Sequence, residues 1–195
     1  MSAPRLLLAA TGAVLLSGCI EVGSLDVGEL ACRTGDDGTP ANGIVLMAQA
    51  VETASRLPCL DAVPLGWHLS EVQVRDGSGR FWLDSDRDGE RAIEVALTAS
   101  CDTRRATEIP SDREDVRRLE RVTRISPEYA GTRYYVFDGG CLAIHFRLAH
   151  DSAEPLAVAS EAVDLLPRTD VEAVVREESG GRLELGPTTA RDEGP

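Results

Sequence analysis

The stretch TRYYVFDGGCLAIHFRL, residues 132–148, decides how this chain folds. Two β-favouring runs flank an Asp-Gly-Gly turn, and glycine readily adopts the positive φ angles that tight hairpin turns require. After the turn, large apolar residues recur at every second position, which places them on one face of a strand: Ile144, Phe146 and Leu148. The stretch therefore predicts an antiparallel β-hairpin with one buried face.

Three shorter stretches upstream predict further strands, at residues 71–74, 81–83 and 91–98. Segments rich in Gly and Asp, which favour turns, separate them. All three Phe, both Trp and all three Tyr residues fall between Trp67 and Phe146. Because aromatic residues favour half-buried strands, we interpret them as the core of one antiparallel sheet. The alternative is that some of them line a ligand-binding cleft.

Helical periodicity appears on both sides of this β-rich region. One helix is predicted over residues 42–57 and a second over 152–166, each followed by a proline. A third begins at the capping box formed by Thr169 and Glu172 and ends at the glycine pair 180–181. Strands and helices together predict a single α+β domain, in which C-terminal helices pack on one side of an antiparallel sheet.

Residues 112–125 fit two interpretations. Ser111 and Glu114 form a capping box that predicts a helix, whereas the position between strands favours an edge strand. Arginines make this segment a local basic stripe in an acidic chain. Pairing with nearby acids, within a helix or across strands, is the simpler explanation for them; the candidate acids are Asp112, Glu114, Asp115 and Glu120.

The N-terminus combines one basic residue, a short apolar run and two small residues before a cysteine. Arg5 precedes the apolar residues 6–16, and Ser17 and Gly18 precede Cys19. A membrane-spanning helix needs about 20 apolar residues, so this run is too short to cross a bilayer. The arrangement predicts a secretory signal peptide.

The tetrapeptide LSGC at residues 16–19 resembles the lipobox of bacterial lipoproteins. The resemblance implies that the Cys19 sulfur carries a diacylglyceryl group and that cleavage makes Cys19 the first mature residue. Two acyl chains would anchor the chain durably at the extracytoplasmic face of the cell membrane. We expect a lipoprotein signal peptide at 1–18, the lipidated cysteine and a tether at 19–41, the α+β domain at 42–186 and a disordered tail at 187–195.

The composition indicates a bacterial, outward-facing protein. All twenty basic residues are arginine, which high-GC codon usage explains and which suggests an actinobacterial type of source. The formal net charge is −13, and removal of residues 1–18, whose only charged side chain is Arg5, leaves −14. A strongly acidic body does not favour nucleic acid. The expected partners are the membrane, through the anchor, and another envelope protein.

Besides Cys19, the chain has four cysteines, an even number that fits disulfide bonds in an oxidising compartment. Four cysteines allow three connectivities, and sequence alone does not choose among them. We favour Cys32–Cys59 and Cys101–Cys141, because each bridge then closes a loop within one half of the chain. A metal site has weaker support, because no two of these cysteines have C-x-x-C spacing.

The stretch LDSDRDGERAIEV, residues 83–95, has a metal-binding pattern. Asp84, Asp86 and Asp88 match positions 1, 3 and 5 of an EF-hand-type calcium loop, and Gly89 matches position 6. The match fails at position 12, where Val95 replaces the bidentate glutamate, and the flanks predict strands. The stretch is therefore either a calcium site or a solvated acidic hairpin turn. No other cofactor is expected.

No catalytic constellation is recognisable in the sequence. His145 and His150 are five residues apart and His145 lies on a predicted strand, so we expect neither zinc binding nor histidine-based catalysis. Ser100 and Ser160 lack the G-x-S-x-G context of a nucleophile elbow. No Gly-rich loop has the lysine of a phosphate-binding motif.

Three segments, GRFWLDSDRDG, ATEIPSD and YYVFDGGC, are similar to segments of uncharacterised actinobacterial envelope proteins. The resemblance covers about residues 57–185 and implies a secreted or anchored domain, without a mechanism. We expect a non-enzymatic accessory or binding lipoprotein of the cell envelope. The alternatives are a calcium- or small-ligand-binding module and an envelope hydrolase, which would need a cleft with two carboxylates about 5–9 Å apart.

Overall fold

The computed structural model describes residues 30–32, 42–149 and 153–186. The hairpin predicted at 132–148 supplies the central strand of a seven-stranded antiparallel sheet. In chain order the elements are α1 (Asn42–Ala50), β1 (Arg56–Leu60), β2 (Trp67–Arg75), β3 (Ser78–Ser85), β4 (Gly89–Thr98), β5 (Thr107–Ile109), β6 (Arg117–Arg124), β7 (Tyr129–Phe137), β8 (Gly140–Leu148), α2 (Glu154–Glu161), β9 (Val163–Pro167) and α3 (Arg168–Glu178). The strand order of the large sheet is β2-β3-β4-β8-β7-β6-β5, and β1 pairs with β9 in a separate two-stranded ribbon.

The predicted strands are confirmed, and the ambiguous segment 112–125 contains strand β6. This strand is not the edge strand that was expected, because the short β5 pairs with its other side. Gly77 and Gly139 adopt φ angles of 75° and 63° in the turns of the β2–β3 and β7–β8 hairpins. Ser111 does not cap a helix; its Oγ accepts a hydrogen bond from the backbone N–H of Arg113 in a local turn. Pairing of β6 with β7 satisfies the backbone there, which a short isolated helix would do less well.

Two of the predicted helices are too long, for one shared reason. α1 ends at Ala50 rather than at residue 57, and α2 ends at Glu161 rather than at 166. Residues 51–55 form bends and turns and residues 56–57 belong to β1, whereas residues 163–166 belong to β9; the two strands pair antiparallel with Leu57 opposite Leu166. Long-range strand pairing satisfies both backbones at once and outweighs the local helical periodicity. Residue 152, the predicted cap of the second helix, lies outside the described residues.

α3 confirms the third helix but not its capping box. The helix begins at Arg168, with Pro167 at the N-cap and no side-chain cap. The Glu172 carboxylate accepts a hydrogen bond from Arg168 Nε at 3.0 Å. Gly180 and Gly181 have φ angles of 62° and 77° and end the helix as predicted.

One face of the large sheet, the inner face, packs against the helices and the β1–β9 ribbon. Its positions on β3, β4 and β8 are apolar, and with apolar residues of all three helices they form one continuous core. Burying each large side chain contributes roughly 1.5–3 kcal/mol; on these strands they are Phe81, Leu83, Ile93, Val95, Leu97, Leu142, Ile144 and Phe146. The architecture is thus dominated by the sheet, and the N-terminal α1 covers it as well as the C-terminal helices.

Both favoured disulfides are present. Cys32–Cys59 attaches the segment at 30–32 to β1, and Cys101–Cys141 attaches the loop after β4 to β8. The second bridge belongs to a small apolar cluster on the opposite, outer face of the sheet, together with Leu119. The two bridges therefore fix peripheral segments to both faces of the sheet.

Arg168 is the largest fully buried side chain among the described residues. Its Nη1 donates hydrogen bonds to the carbonyls of Ala48 at 2.8 Å and Val51 at 3.3 Å, at the end of α1. Its Nη2 donates to the carbonyl of Gly186 at 3.0 Å, and its Nε donates to Glu172. One guanidinium group therefore joins α1, α3 and the segment that follows α3.

Replacing this buried cation should destabilise the fold strongly. We expect Arg168→Met to lower the free energy of unfolding by about 3–5 kcal/mol, because it removes the hydrogen bonds to the carbonyls of Ala48 and Gly186 and the buried cation beside Glu172. Urea unfolding followed by circular dichroism measures the change. The control Arg176→Met alters an exposed arginine of α3 and should change stability by less than about 0.5 kcal/mol. Equal stabilities of the two variants would contradict the role of Arg168.

Candidate functional site

A cavity of about 410 Å³ lies between the inner face of β6, β7 and β8 and the segment from α2 to β9. It forms where the inner face changes from apolar to charged. On β6 and β7 the inner-face residues include Arg118, Glu120 and Arg133, and Glu120 lies opposite Arg133 in the register. Charged side chains need polar partners and cannot close a layer as apolar ones do. Small-molecule sites measure about 300–1,000 Å³, so the volume suits a small ligand.

We call this space the arginine cavity, because Arg113, Arg118 and Arg133 all line it. It also has apolar walls, contributed by Leu142 of β8 and Leu165 of β9. A mixture of apolar walls and a few fixed polar groups is typical of sites that bind small molecules.

Arg133 is held in place by the protein itself. Although it lies on a central strand, only 9% of the residue is exposed. Its Nη2 lies 2.7 Å from Glu120 Oε2, and its Nη1 donates to Ser160 Oγ of α2 at 3.1 Å. The Tyr129 hydroxyl donates to Glu120 at 3.4 Å. Loss of solvation, with the negative charge of Glu120, raises the pKa of Tyr129, so this hydroxyl keeps its proton and the donor role.

Arg113 ties the loop before β6 to the β9 strand. Its guanidinium donates to the Asp164 carboxylate and, at 3.1 Å, to the carbonyl of Leu165. Arg56 of β1 binds the same loop through Asp115 and also donates to Leu165. The position of one cavity wall is therefore fixed by two arginines that already have partners.

Arg118 differs from the other two arginines of the cavity. It lies opposite Tyr135 in the β6–β7 register, and both side chains line the cavity. Its Nε is buried, and no acceptor for that N–H exists among the described residues. A buried donor without a partner costs about 1–3 kcal/mol, and more when it is charged. Arg118 also forms no ion pair with any described residue, so it is the cation of the cavity that a ligand could pair with.

Two exposed carboxylates complete the lining. Asp112 comes from the loop before β6, and Glu161 ends α2. Neither forms an ion pair with Arg118 or with another described arginine. The cavity thus presents an arginine and two carboxylates whose charges the described part of the chain does not neutralise.

The predicted pairing of the arginines in 112–125 is confirmed only in part. Cross-strand pairs do form, but the partners differ from the neighbours expected from the sequence. Glu120 pairs with Arg133 rather than with an arginine of its own segment, and Asp115 pairs with Arg56. The sequence did contain a signal for this pairing. Arg133 lies four residues before Phe137 on the predicted strand, so the two side chains share the inner face.

The three aspartates of the proposed calcium loop lie in the β3–β4 hairpin, each with its own protein contact. Asp84 accepts hydrogen bonds from Ser70 Oγ at 2.8 Å and from the backbone N–H of Arg91 at 2.7 Å. Asp86 lies 3.1 Å from His68 Nε2, and Asp88 accepts from the backbone N–H of residue 149 at 3.1 Å. In the described ranges, no group of three or more His, Cys, Asp or Glu side chains is placed to hold a metal ion. Calcium binding here stays a prediction.

Calcium binding by Asp84, Asp86 and Asp88 predicts a dose-dependent rise in the melting temperature of the full chain, because a ligand of the folded state stabilises it. Asp86→Asn should reduce that rise. Asp138→Asn, in the β7–β8 turn, is the control and should respond as the wild type does. Differential scanning fluorimetry measures the shift, and an unchanged wild-type melting temperature at about 5 mM calcium would contradict calcium binding.

The outer face contains the remaining residues that the sequence singled out. Trp82 packs beneath the guanidinium of Arg91, which lies 5.1 Å from the ring centroid. His145 keeps the solvent-facing position predicted for it, and its Nδ1 lies 3.0 Å from Thr132 Oγ1. Loss of solvation on the ring lowers the pKa of His145, while Glu94 opposes the shift. These contacts account for Trp82 and His145 as parts of the sheet, as the sequence predicted.

Several predictions fall outside the described residues: the signal peptide, the lipidation of Cys19, the tail at 187–195 and His150. Among the residues that the structure does describe, no helix combines the length and apolar character needed to cross a membrane. Comparisons with protein-family models, with curated proteins and with solved structures found no match. The function must therefore be argued from the cavity and from the sequence.

Proposed function

We propose that this chain is a lipid-anchored, extracytoplasmic protein of the cell envelope that binds a small ligand in the arginine cavity. The observation that carries the proposal is the cavity itself, in which Arg118 forms no ion pair with any described residue. The two disulfide bonds agree with an oxidising compartment. The lipobox-like tetrapeptide ending at Cys19 supports an anchor at the cell membrane.

Under this proposal, the protein serves as a non-enzymatic accessory of another envelope component. A lipid-anchored domain that captures a small molecule can present it to a neighbouring membrane protein. Cross-linked co-purification from native membranes, with the wild type beside Cys19→Ala, tests the partnership. We expect one membrane protein to be recovered in near-stoichiometric amount, and only with the anchored form.

Replacing Cys19 should release the protein from the membrane. We expect the wild type to sediment with membranes and Cys19→Ala to lose this association, because two acyl chains anchor a protein durably whereas none does not. Mass spectrometry of the N-terminal peptide identifies the diacylglyceryl group. Ser17→Ala, which keeps a small residue before the cysteine, is the control. An unmodified Cys19 in the wild type would contradict the anchor.

Ligand binding should depend on the arginine cavity. We expect ligand-observed NMR with a mixture of envelope and medium metabolites to identify a ligand of the full chain in mild detergent. Ser160→Leu places a larger side chain in the cavity beside Arg133 and should weaken binding of that ligand by about tenfold or more. The control Ser179→Leu lies at the end of α3, away from the cavity lining. A ligand that binds both variants equally would place the site elsewhere.

The hydrolase alternative makes a different prediction for the same experiment. Asp112, Glu161 and Asp164 are the carboxylates of the cavity, and Asp164 is already bound by Arg113. A binding protein returns its ligand chemically unchanged after long incubation, as mass spectrometry would show. Turnover that depends on Glu161 would favour a hydrolase instead.

A further inference from the structure

The charges of the arginine cavity divide into paired and unpaired groups. Arg133 is neutralised by Glu120, and Arg113 is neutralised by Asp164. What is left among the described lining residues is one cation, Arg118, and two exposed carboxylates. A ligand that leaves these paired groups undisturbed must complement the unpaired ones.

The unpaired cation and the unpaired anions face the same space without contacting each other. Arg118 lines the cavity from β6, whereas Glu161 lines it from α2 and Asp112 from the loop before β6. Ion pairs between exposed side chains stabilise a protein only weakly, so the fold does not require these groups to pair with each other. Because Arg118 forms no ion pair with Asp112 or Glu161, the lining presents one positive and two negative groups to a ligand.

We propose that the ligand is a small zwitterion with one carboxylate and one ammonium group, of the amino-acid or short-peptide kind. The inference rests on the proposed function, since it names the ligand class of the same cavity. The ligand carboxylate binds Arg118, whose planar guanidinium favours bidentate carboxylate recognition. The ligand ammonium group binds Asp112 and Glu161.

The rest of the lining favours this class over a polyanion. The three arginines of the cavity are balanced by three acids, so the lining has no formal excess of positive charge. A ligand with several phosphates would face Asp112 and Glu161 without compensation, on a chain whose net charge is −13. The apolar walls at Leu142, Val163 and Leu165 can accept the side chain of an amino acid.

Three matched compound libraries test the ligand class. The first contains the common amino acids and their dipeptides with both ends free, the second the same compounds with acetylated amines, and the third the same compounds with amidated carboxyl groups. Each is screened by ligand-observed NMR against the full chain in mild detergent, and hits are measured by calorimetry. We expect binding from the first library, weakened about tenfold or more by either modification, because each removes a charge-assisted contact.

Two substitutions assign each end of the ligand to its residue. Arg118→Gln should weaken binding of the compounds with both ends free by about tenfold, so that they bind no more tightly than the amidated compounds. Glu161→Gln should reduce the difference in affinity between the compounds with both ends free and the acetylated compounds. The control Arg117→Gln changes the adjacent arginine of β6, which faces the outer side and pairs with Glu108 at 2.8 Å. Its affinity should equal that of the wild type, and melting curves verify that all variants fold.

Each contrary result has a distinct meaning. Acetylated compounds that bind as tightly as free ones would overturn the ammonium contact, and amidated compounds that do so would overturn the carboxylate contact. If no library member binds while another metabolite occupies the cavity, the zwitterion class is wrong and the proposed function stands. If nothing binds the cavity in either screen, the proposed function fails with it.

Discussion

The last carbonyl groups of a helix have no partners within it, and the carbonyls of Ala48 in α1 and of Val51, just after α1, receive hydrogen bonds from Arg168. The arginine comes from the first turn of α3, more than a hundred residues later in the chain. Burying a guanidinium is costly unless every polar contact around it is made, so this contact forms in one geometry or not at all. The contact therefore fixes how α1, α3 and the segment at Gly186 sit over the sheet.

The arginine cavity follows from the same layer of the structure. Where the inner face is apolar, the helices pack onto it directly, and the core is continuous from α1 to β8. Where β6 and β7 place Arg118, Glu120 and Arg133 on that face, α2 and β9 cannot pack as closely, and a cavity remains. Arg133 and Glu120 satisfy each other, which makes a charged wall stable enough to persist. The cavity is thus a consequence of the side chains of two strands.

The sheet was predictable from the sequence because its signals are local: alternating apolar residues and glycine turns at Gly77 and Gly139 mark the hairpins. The β1–β9 ribbon was not, because each of its strands looks like a helix end and becomes a strand only by pairing across the chain, Leu57 with Leu166. The cavity was missed for a related reason. The arginines of 112–125 were assigned to neighbouring acids, whereas Arg133, a strand away, takes Glu120 and leaves Arg118 without a described partner.

The Cys32–Cys59 bridge also limits how far the body can move from a membrane. The backbone N–H of Cys32 donates to the carbonyl of Leu60, and Ala31 forms a parallel bridge with the same residue, so residues 31–32 are held against β1. With the anchor proposed at Cys19, only twelve residues, 20–31, separate the lipidated cysteine from the bridge. At full extension they span at most about 45 Å. The bridge thus limits how far the described domain can move from the bilayer surface that holds the proposed anchor.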